Sequence, residues 1–141
     1  MLKIIIADDH KIFREGVIEL ISSLSRYEVI AEASNGMELM DLLKDKLPDI
    51  VLLDIFMPQM DGYQAAEIIR TEYPSVKVLV LSIFGDEGSY AKMIQAKVKG
   101  YVLKEACDKE LEIALDEVSQ NRGYFSKELL RRVGIKGEGK S

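Results

Sequence analysis

Polar residues that follow directly on short apolar runs are the first feature of this sequence that suggests chemistry. They are Asp8 and Asp9 after the first run, Asp54 after the third, Ser82 after the fourth and Lys104 after the fifth. If the runs are parallel strands of one sheet, their carboxyl ends form one edge, where sites in open α/β sheets lie. Three carboxylates, one hydroxyl and one ammonium would then share that edge.

This combination of groups suits a phosphoryl group held with a metal ion. Clustered carboxylates repel one another unless a cation lies among them. Their hard oxygens suit Mg²⁺, which keeps several waters and accepts phosphate as a further ligand. Lys104 would add a positive charge and Ser82 a hydroxyl donor, which leaves Asp54 as the candidate nucleophile. A single aspartate at a strand end is commonly a turn residue, so the hypothesis depends on the whole set.

Five apolar runs alternate with segments of helical period, and this order predicts the elements that position the site. The runs are 2–7, 28–33, 50–53, 76–81 and 100–103. The first, third and fourth are continuously apolar, which is typical of strands buried on both faces of a parallel sheet. We therefore predict a doubly wound α/β domain of the flavodoxin-like kind, with five βα units and the strand order 2-1-3-4-5.

Composition and charge exclude several classes of protein. The longest apolar runs, such as residues 78–81, are far too short for a bilayer span, and the N-terminus lacks the pattern of a signal peptide. We therefore expect a cytoplasmic protein without a membrane partner. The single cysteine, Cys107, excludes an internal disulfide. The net charge of -5 argues against DNA binding by these residues.

The pattern breaks at residues 121–123, and a different segment follows. Ser126 is placed to cap a short helix that carries Leu129, Leu130 and Val133. Residues 134–141 contain three glycines and little to bury, which is typical of a linker. The predicted domain is therefore 1–122, and 123–141 is predicted to be a short helix and a linker.

Several segments together resemble the receiver domain of bacterial two-component response regulators. The resemblance covers about residues 1 to 122, and its motifs are highly specific in combination. The segments are Ile6-Ala7-Asp8-Asp9-His10, Leu53-Asp54-Ile55-Phe56-Met57-Pro58-Gln59-Met60-Asp61-Gly62, Leu81-Ser82 and Gly100-Tyr101-Val102-Leu103-Lys104.

The resemblance implies a phosphorelay function with a role for each matched residue. Asp54 would accept a phosphoryl group from a sensor histidine kinase. The domain would catalyse its own phosphorylation and its own dephosphorylation by hydrolysis, and it would not be an enzyme for another substrate. The residues that would bind Mg²⁺ are Asp9, Asp54 and the backbone carbonyl of Phe56, with Asp8 directly or through water. Ser82 and Lys104 would hold the phosphoryl oxygens, and Tyr101 would be the switch aromatic that turns inward on phosphorylation.

Finer details resemble the NarL/FixJ-type regulators. The Asp-Asp-His sequence is followed by Phe-Arg-Glu-Gly at 13–16, and residues 100–106 read Gly-Tyr-Val-Leu-Lys-Glu-Ala. Regulators of this type carry a C-terminal helix-turn-helix domain, and the chain stops where that domain would begin. The resemblance thus implies a transcription factor that binds DNA only through the missing domain and forms a homodimer when phosphorylated. The alternative is a stand-alone receiver that acts through protein contacts only.

Two other classes of protein are less consistent with the residues. A phosphatase with an aspartyl phosphate intermediate needs a second acid two residues after its nucleophile, where this chain has Phe56. A flavodoxin-like cofactor protein would need a Ser/Thr/Gly phosphate loop after the first strand. The sequence at that place is Asp8-Asp9-His10-Lys11, which would repel a phosphate in the absence of Mg²⁺.

Four further residues near the predicted site need an interpretation. In receivers, the residues two beyond the acceptor aspartate and two beyond the hydroxyl residue flank the path of the hydrolytic water. Here these are Phe56 and Phe84, which cannot hydrogen-bond a water, so we predict a long-lived aspartyl phosphate. His10 is expected to begin the first helix without carrying a phosphoryl group. Cys107 is expected to substitute for a capping serine at the last helix of the domain.

Overall fold

Six parallel strands form one sheet in the computed structural model, which describes residues 1–134. The strand order is β2-β1-β3-β4-β5-β6, so the predicted order of the first five strands is confirmed. The sixth strand, which the sequence did not predict, pairs with the outer edge of β5. The strands are β1 (Leu2–Ala7), β2 (Tyr27–Ala33), β3 (Ile50–Leu53), β4 (Lys77–Ser82), β5 (Gly100–Leu103) and β6 (Tyr124–Phe125).

Helices cover both faces of the sheet. Helices α1 and α5 pack on one face, and α2, α3, α4 and α6 pack on the other. Across residues 1–134, no helix is long and apolar enough to cross a membrane. The helices are α1 (Lys11–Ser22), α2 (Gly36–Asp45), α3 (Gly62–Glu72), α4 (Glu87–Gln95), α5 (Cys107–Ser119) and α6 (Lys127–Arg132), with a 3₁₀ turn at Lys104–Ala106.

The central strands explain the continuous apolar runs. All four residues of β3 are buried, because Val51 and Leu53 face one layer of helices while Ile50 and Leu52 face the other. Alternate residues of a strand point to opposite faces, so a strand covered on both sides must be apolar throughout. The parallel pairing of β1, β3, β4 and β5 places their carboxyl ends side by side at one edge.

Two local details differ from the helical pattern in the sequence. The spacing of Met40, Leu43 and Leu47 predicts one helical face that reaches Leu47, but α2 ends at Asp45 and Leu47 is exposed. Pro48 accounts for this, because the residue before a proline is disfavoured in the helical conformation. Cys107 is the first residue of α5 and not its cap, since Ala106 holds the cap position and no side chain caps this helix.

The segment after α5 packs on the domain. The backbone turns at Asn121, whose φ of 66° is in the left-handed region, and the predicted short helix follows as α6. Leu129 and Val133 are buried in the core. Ser126 precedes α6 without capping it through its side chain. The linker was predicted at residues 134–141, of which 135–141 lie outside the described residues. The domain boundary at residue 122 stays a prediction.

Candidate functional site

Asp54 stands at the carboxyl end of β3, in the middle of the sheet edge. Its N–H donates to the carbonyl of Ala7 at 3.0 Å, which fixes it beside the end of β1. Its Oδ1 accepts the N–H of Ile55 at 2.8 Å. Its Oδ2 lies 3.5 Å from Lys104 Nζ. Only 5% of Asp54 is exposed, so this carboxylate is held rigidly in a largely buried position.

Burial also changes the acidity of Asp54. It raises the pKa of this carboxyl to about 6, and the negative charge of Asp8 adds to the rise, while Lys104 opposes it. A carboxylate with a raised pKa is more basic than an exposed aspartate, and its charged form is destabilised. At neutral pH it is therefore an ionised oxygen nucleophile that a nearby cation would stabilise.

A tight loop after Asp54 brings the start of α3 back against the backbone of Asp54. The N–H of Gly62 donates to the carbonyl of Ile55 at 2.6 Å. A Cβ at residue 62 would lie 2.3 Å from the carbonyl oxygen of Asp54, so only glycine fits there. Asp61 and Gln64 form a full capping box at the start of α3. Sequence reasoning missed this box, although an acceptor followed three residues later by Gln is its recognised signal.

Asp8, Asp9 and His10 follow β1 and complete an acidic cluster with Asp54. One ligand atom from each of these four residues lies within 4.8 Å of the others. The Nδ1 atom of His10 is 3.5 Å from Asp8 Oδ1 and 3.6 Å from Asp9 Oδ1. His10 is the N-cap of α1, directly before its first residue, so it stands at the start of that helix as expected, and it also belongs to the cluster. The position of His10 directly after two aspartates was the sequence signal that it would lie in the acidic cluster.

Lys104 provides the positive charge at the centre of this cluster. Its Nζ lies 2.8 Å from Asp8 Oδ2 and 4.4 Å from the centre of the Phe13 ring. Its side chain is 7% exposed, and burial in such a place requires charged partners. The ammonium therefore reaches both Asp8 and Asp54 from the end of β5.

The residues present fit a divalent cation. Among the described side chains of this cluster, three carboxylates face one ammonium. Asp8 Oδ2 is buried and has no hydrogen-bond partner within residues 1–134, although the Lys104 ammonium is in ion-pair contact with it. Hard carboxylate oxygens with this excess of negative charge favour a hard cation such as Mg²⁺. The site is thus an acidic pocket that can bind a metal ion.

Ser82 and Tyr101 lie on the two strands beside the cluster and are both fully buried. Ser82 Oγ accepts the N–H of Phe84 at 3.0 Å. The hydroxyl of Tyr101 donates to the carbonyl of Phe84, and burial raises the pKa of that hydroxyl above its usual range. We expected Tyr101 to turn inward on phosphorylation. The ring is already inside the protein in this structure, so that rotation is not needed from this conformation.

Phe56 and Phe84 meet at the rim of the site. Their ring centroids are 4.7 Å apart and the rings pack edge to face. The two residues are 49% and 42% exposed. Phe56 also packs edge to face on Tyr63 at 6.3 Å. The fold therefore joins the two flanking positions into one aromatic pair that stands in partial contact with solvent.

Comparison with known proteins gives consistent matches over most of the chain. Residues 4–116 match the response regulator receiver domain family. The chain is 37% identical over 124 residues to the transcriptional regulatory protein DegU of Brevibacillus brevis, a match that covers 88% of this chain and 52% of that protein. The chain spans about half the length of the curated relatives it matches.

Solved structures of similar proteins have the same fold. A two-component response regulator of the LuxR family from Aurantimonas sp. SI85-9A1 superposes with a TM-score of 0.89 at 29% identity, over 95% of this chain and 96% of that one. The signal receiver domain of the response regulator NarL from Mycobacterium tuberculosis superposes with a TM-score of 0.81 at 32% identity, over 86% of this chain and 98% of that one.

Proposed function

Because the chain belongs to the receiver domain family of two-component response regulators, of the LuxR/NarL type, we propose that Asp54 is its phosphoacceptor. Receiver domains are switches controlled by phosphorylation. The observation that supports this role most strongly is the cluster itself. Asp8, Asp9 and Asp54 present ligand atoms within 4.8 Å of one another, and Lys104 lies beside Asp54.

The reaction is transfer of a phosphoryl group from a phosphohistidine of a sensor histidine kinase. An Asp54 carboxylate oxygen attacks the phosphorus, and an acyl phosphate bond forms as the P–N bond breaks. The electron pair of that bond stays on the imidazole nitrogen. The Ile55 N–H holds Asp54 Oδ1 at 2.8 Å, so this bond keeps the carboxylate oriented before the transfer.

The metal ion would be held by Asp9, Asp54 and the backbone carbonyl of Phe56, with Asp8 directly or through water. Bound Mg²⁺ would offset the charge that accumulates on the phosphoryl oxygens. Lys104 Nζ, 3.5 Å from Asp54 Oδ2, stabilises the same oxygens as a fixed positive charge. The hydroxyl of Ser82, at the end of β4, would then donate a hydrogen bond to a phosphoryl oxygen. Tyr101 would be the switch aromatic, in the inward position that it already holds.

The domain also catalyses hydrolysis of the aspartyl phosphate. A water attacks the phosphorus, the bond to Asp54 breaks, and inorganic phosphate leaves. The water must approach in line with that bond, past the positions of Phe56 and Phe84. Their apolar rings, packed 4.7 Å apart, cannot orient a water by hydrogen bonding. The aspartyl phosphate is therefore long-lived.

The output that we propose is control of transcription in the cytoplasm. The relative DegU is a transcriptional regulatory protein by name, and this chain carries a net charge of -5. DNA binding therefore belongs to a further domain, and phosphorylation favours a homodimer. A stand-alone receiver that acts through protein contacts is the second candidate. Gel filtration of the protein with and without a phosphoryl donor tests the dimer. Transfer of labelled phosphate from a phosphorylated histidine kinase tests the phosphorelay, and transfer to an Asp54→Asn variant would contradict it.

A further inference from the structure

The segment Tyr124–Val133, which we call the strap, is held against the sheet by strand pairing, ring packing and buried apolar side chains. Its first two residues pair with the edge of β5. The Phe125 ring packs edge to face on Tyr90 of α4, with centroids 6.0 Å apart. Leu129 is wholly buried and Val133 is 8% exposed. The strap therefore covers the outer edge of the domain, on the side of β5 and α4.

Ser126 anchors the strap to the strand that leads to Lys104. This buried serine donates its N–H to the carbonyl of Tyr101 at 2.9 Å. Its Oγ accepts the N–H of Leu103 at 3.2 Å and donates to Glu110 Oε1 at 2.6 Å. Two of these bonds involve backbone groups of β5, and the third involves α5. A movement at the end of β5 would therefore change the hydrogen bonds of Ser126.

Arg132 joins the strap to both loops that border the phosphoryl site. Its guanidinium donates to Glu105 Oε2 at 3.0 Å, on the residue next to Lys104. A Cβ at Gly85 would lie 3.3 Å from a guanidinium nitrogen of Arg132, so the guanidinium packs against the loop between β4 and α4. Arg132 and Arg131 both pair with Glu128 within α6. Arg131 differs because, among residues 1–134, it makes no ion pair outside α6, and its side chain is 73% exposed.

These contacts place the strap on the same two loops that the phosphoryl group would bind. Ser82 begins the β4–α4 loop, and Lys104 begins the connection from β5 to α5. A phosphoryl group between them would order both loops, and a docked strap orders them too. When two ligands each order the same segments, the second binds to segments that are already ordered, and the two bind cooperatively.

We propose that the strap is an intramolecular ligand of the phosphoryl site, so that strap docking and phosphoryl retention strengthen one another. This inference rests on the proposed function of Asp54. In this proposal the strap transmits the phosphorylation state of Asp54 to the residues that follow the strap. Arg132 is the positioning residue that holds the strap on the two loops.

Hydrogen exchange of the whole chain tests the proposal, with Mg²⁺ and beryllium fluoride as a phosphoryl mimic. We expect the mimic to slow exchange at residues 124–133 as well as in the loops after Asp54 and Ser82. Arg132→Gln should speed exchange of the unliganded strap by about two- to fivefold, the range for a partly exposed ion pair. It should also weaken binding of the mimic. Arg131→Gln is the matched control and should behave as the parent in both respects.

A second variant keeps the test independent of one ion pair. Leu129→Ala removes the buried anchor of the strap and should undock it, which weakens binding of the mimic further than Arg132→Gln does. Slowed exchange in the two loops with an unchanged strap would overturn the coupling and leave the phosphoacceptor role intact. Equal mimic binding by the parent and the Leu129→Ala variant would overturn it as well. If neither the loops nor the strap respond in the parent, both the coupling and the proposed function fail.

Discussion

The rings of Phe56 and Phe84 pack edge to face, with centroids 4.7 Å apart, although the two residues come from different loops. Under the proposed function, both would flank the path of the hydrolytic water. We expect the double variant Phe56→Asn, Phe84→Glu to lose its phosphoryl group at least about tenfold faster, because an aligned polar side chain contributes about 10²-fold or more when it assists proton transfer. Loss of phosphate from the purified phosphoprotein in Mg²⁺ measures this rate.

A control separates a local effect from a general effect of polarity. Ile113 is 51% exposed and lies on α5, so Ile113→Asn changes an apolar surface residue away from the aromatic pair. Its phosphoryl group should be lost at the parent rate. If the double variant also keeps the parent rate, the aromatic pair does not determine the lifetime.

The acidity of Asp54 predicts a pH-dependent cost to stability in metal-free protein. Its pKa in the folded protein, about 6, lies above its ordinary value of 3.8. Between these pH values the folded state binds the proton more tightly than the unfolded state, so rising pH lowers the free energy of unfolding. Above the folded pKa the whole cost is present. Below pH 3.8 it is absent.

Asp54→Asn should remove that cost. In chelator at about pH 7, we expect the variant to be more stable than the parent by about 1 to 3 kcal/mol, since one pKa unit corresponds to about 1.4 kcal/mol. The difference should shrink as the pH falls towards about 4. Urea unfolding measures both values, and Asp45→Asn, an exposed residue at the end of α2, is the control. A difference that grows with falling pH would show that the sign is wrong.

The acidic cluster predicts stabilisation by Mg²⁺. At about 100 times its dissociation constant, a ligand of the folded state adds about 2.7 kcal/mol to stability, which corresponds to about 5 °C or more in a domain of this size. We expect this shift in the parent and its loss in Asp9→Asn, which removes a partly exposed carboxylate of the cluster. A calorimetric scan with and without Mg²⁺ measures the shift. An equal shift in both proteins would place the ion elsewhere.

The sequence contained enough information for the central site because burial and chemistry coincide there. Strands buried on both faces must be apolar, so Asp54 and Lys104 stood out as polar residues at the ends of apolar runs. The outer edge was harder to predict. β6 has only two residues, too few to show a period, and Ser126 has the same residue type whether it caps a helix or joins two elements.

The conformations of individual side chains could not be predicted from the sequence either. The family resemblance implied that Tyr101 is the switch aromatic, but the position of its ring depends on packing from elements distant in the chain. Burial and the bond to the Phe84 carbonyl hold it inward. The place of His10 in the acidic cluster has the same cause, because the approach of β1 to β3 brings it to 4.0 Å from Asp54 Oδ2.

The most direct test of the central claim is the intact mass of the protein after incubation with acetyl phosphate and Mg²⁺. The account predicts that the parent gains the mass of one phosphoryl group, that the gain depends on Mg²⁺, and that peptide mapping places it on Asp54. Asp45→Asn should be labelled as the parent is, and Asp54→Asn should stay unlabelled. Equal labelling of Asp54→Asn and the parent would contradict the account.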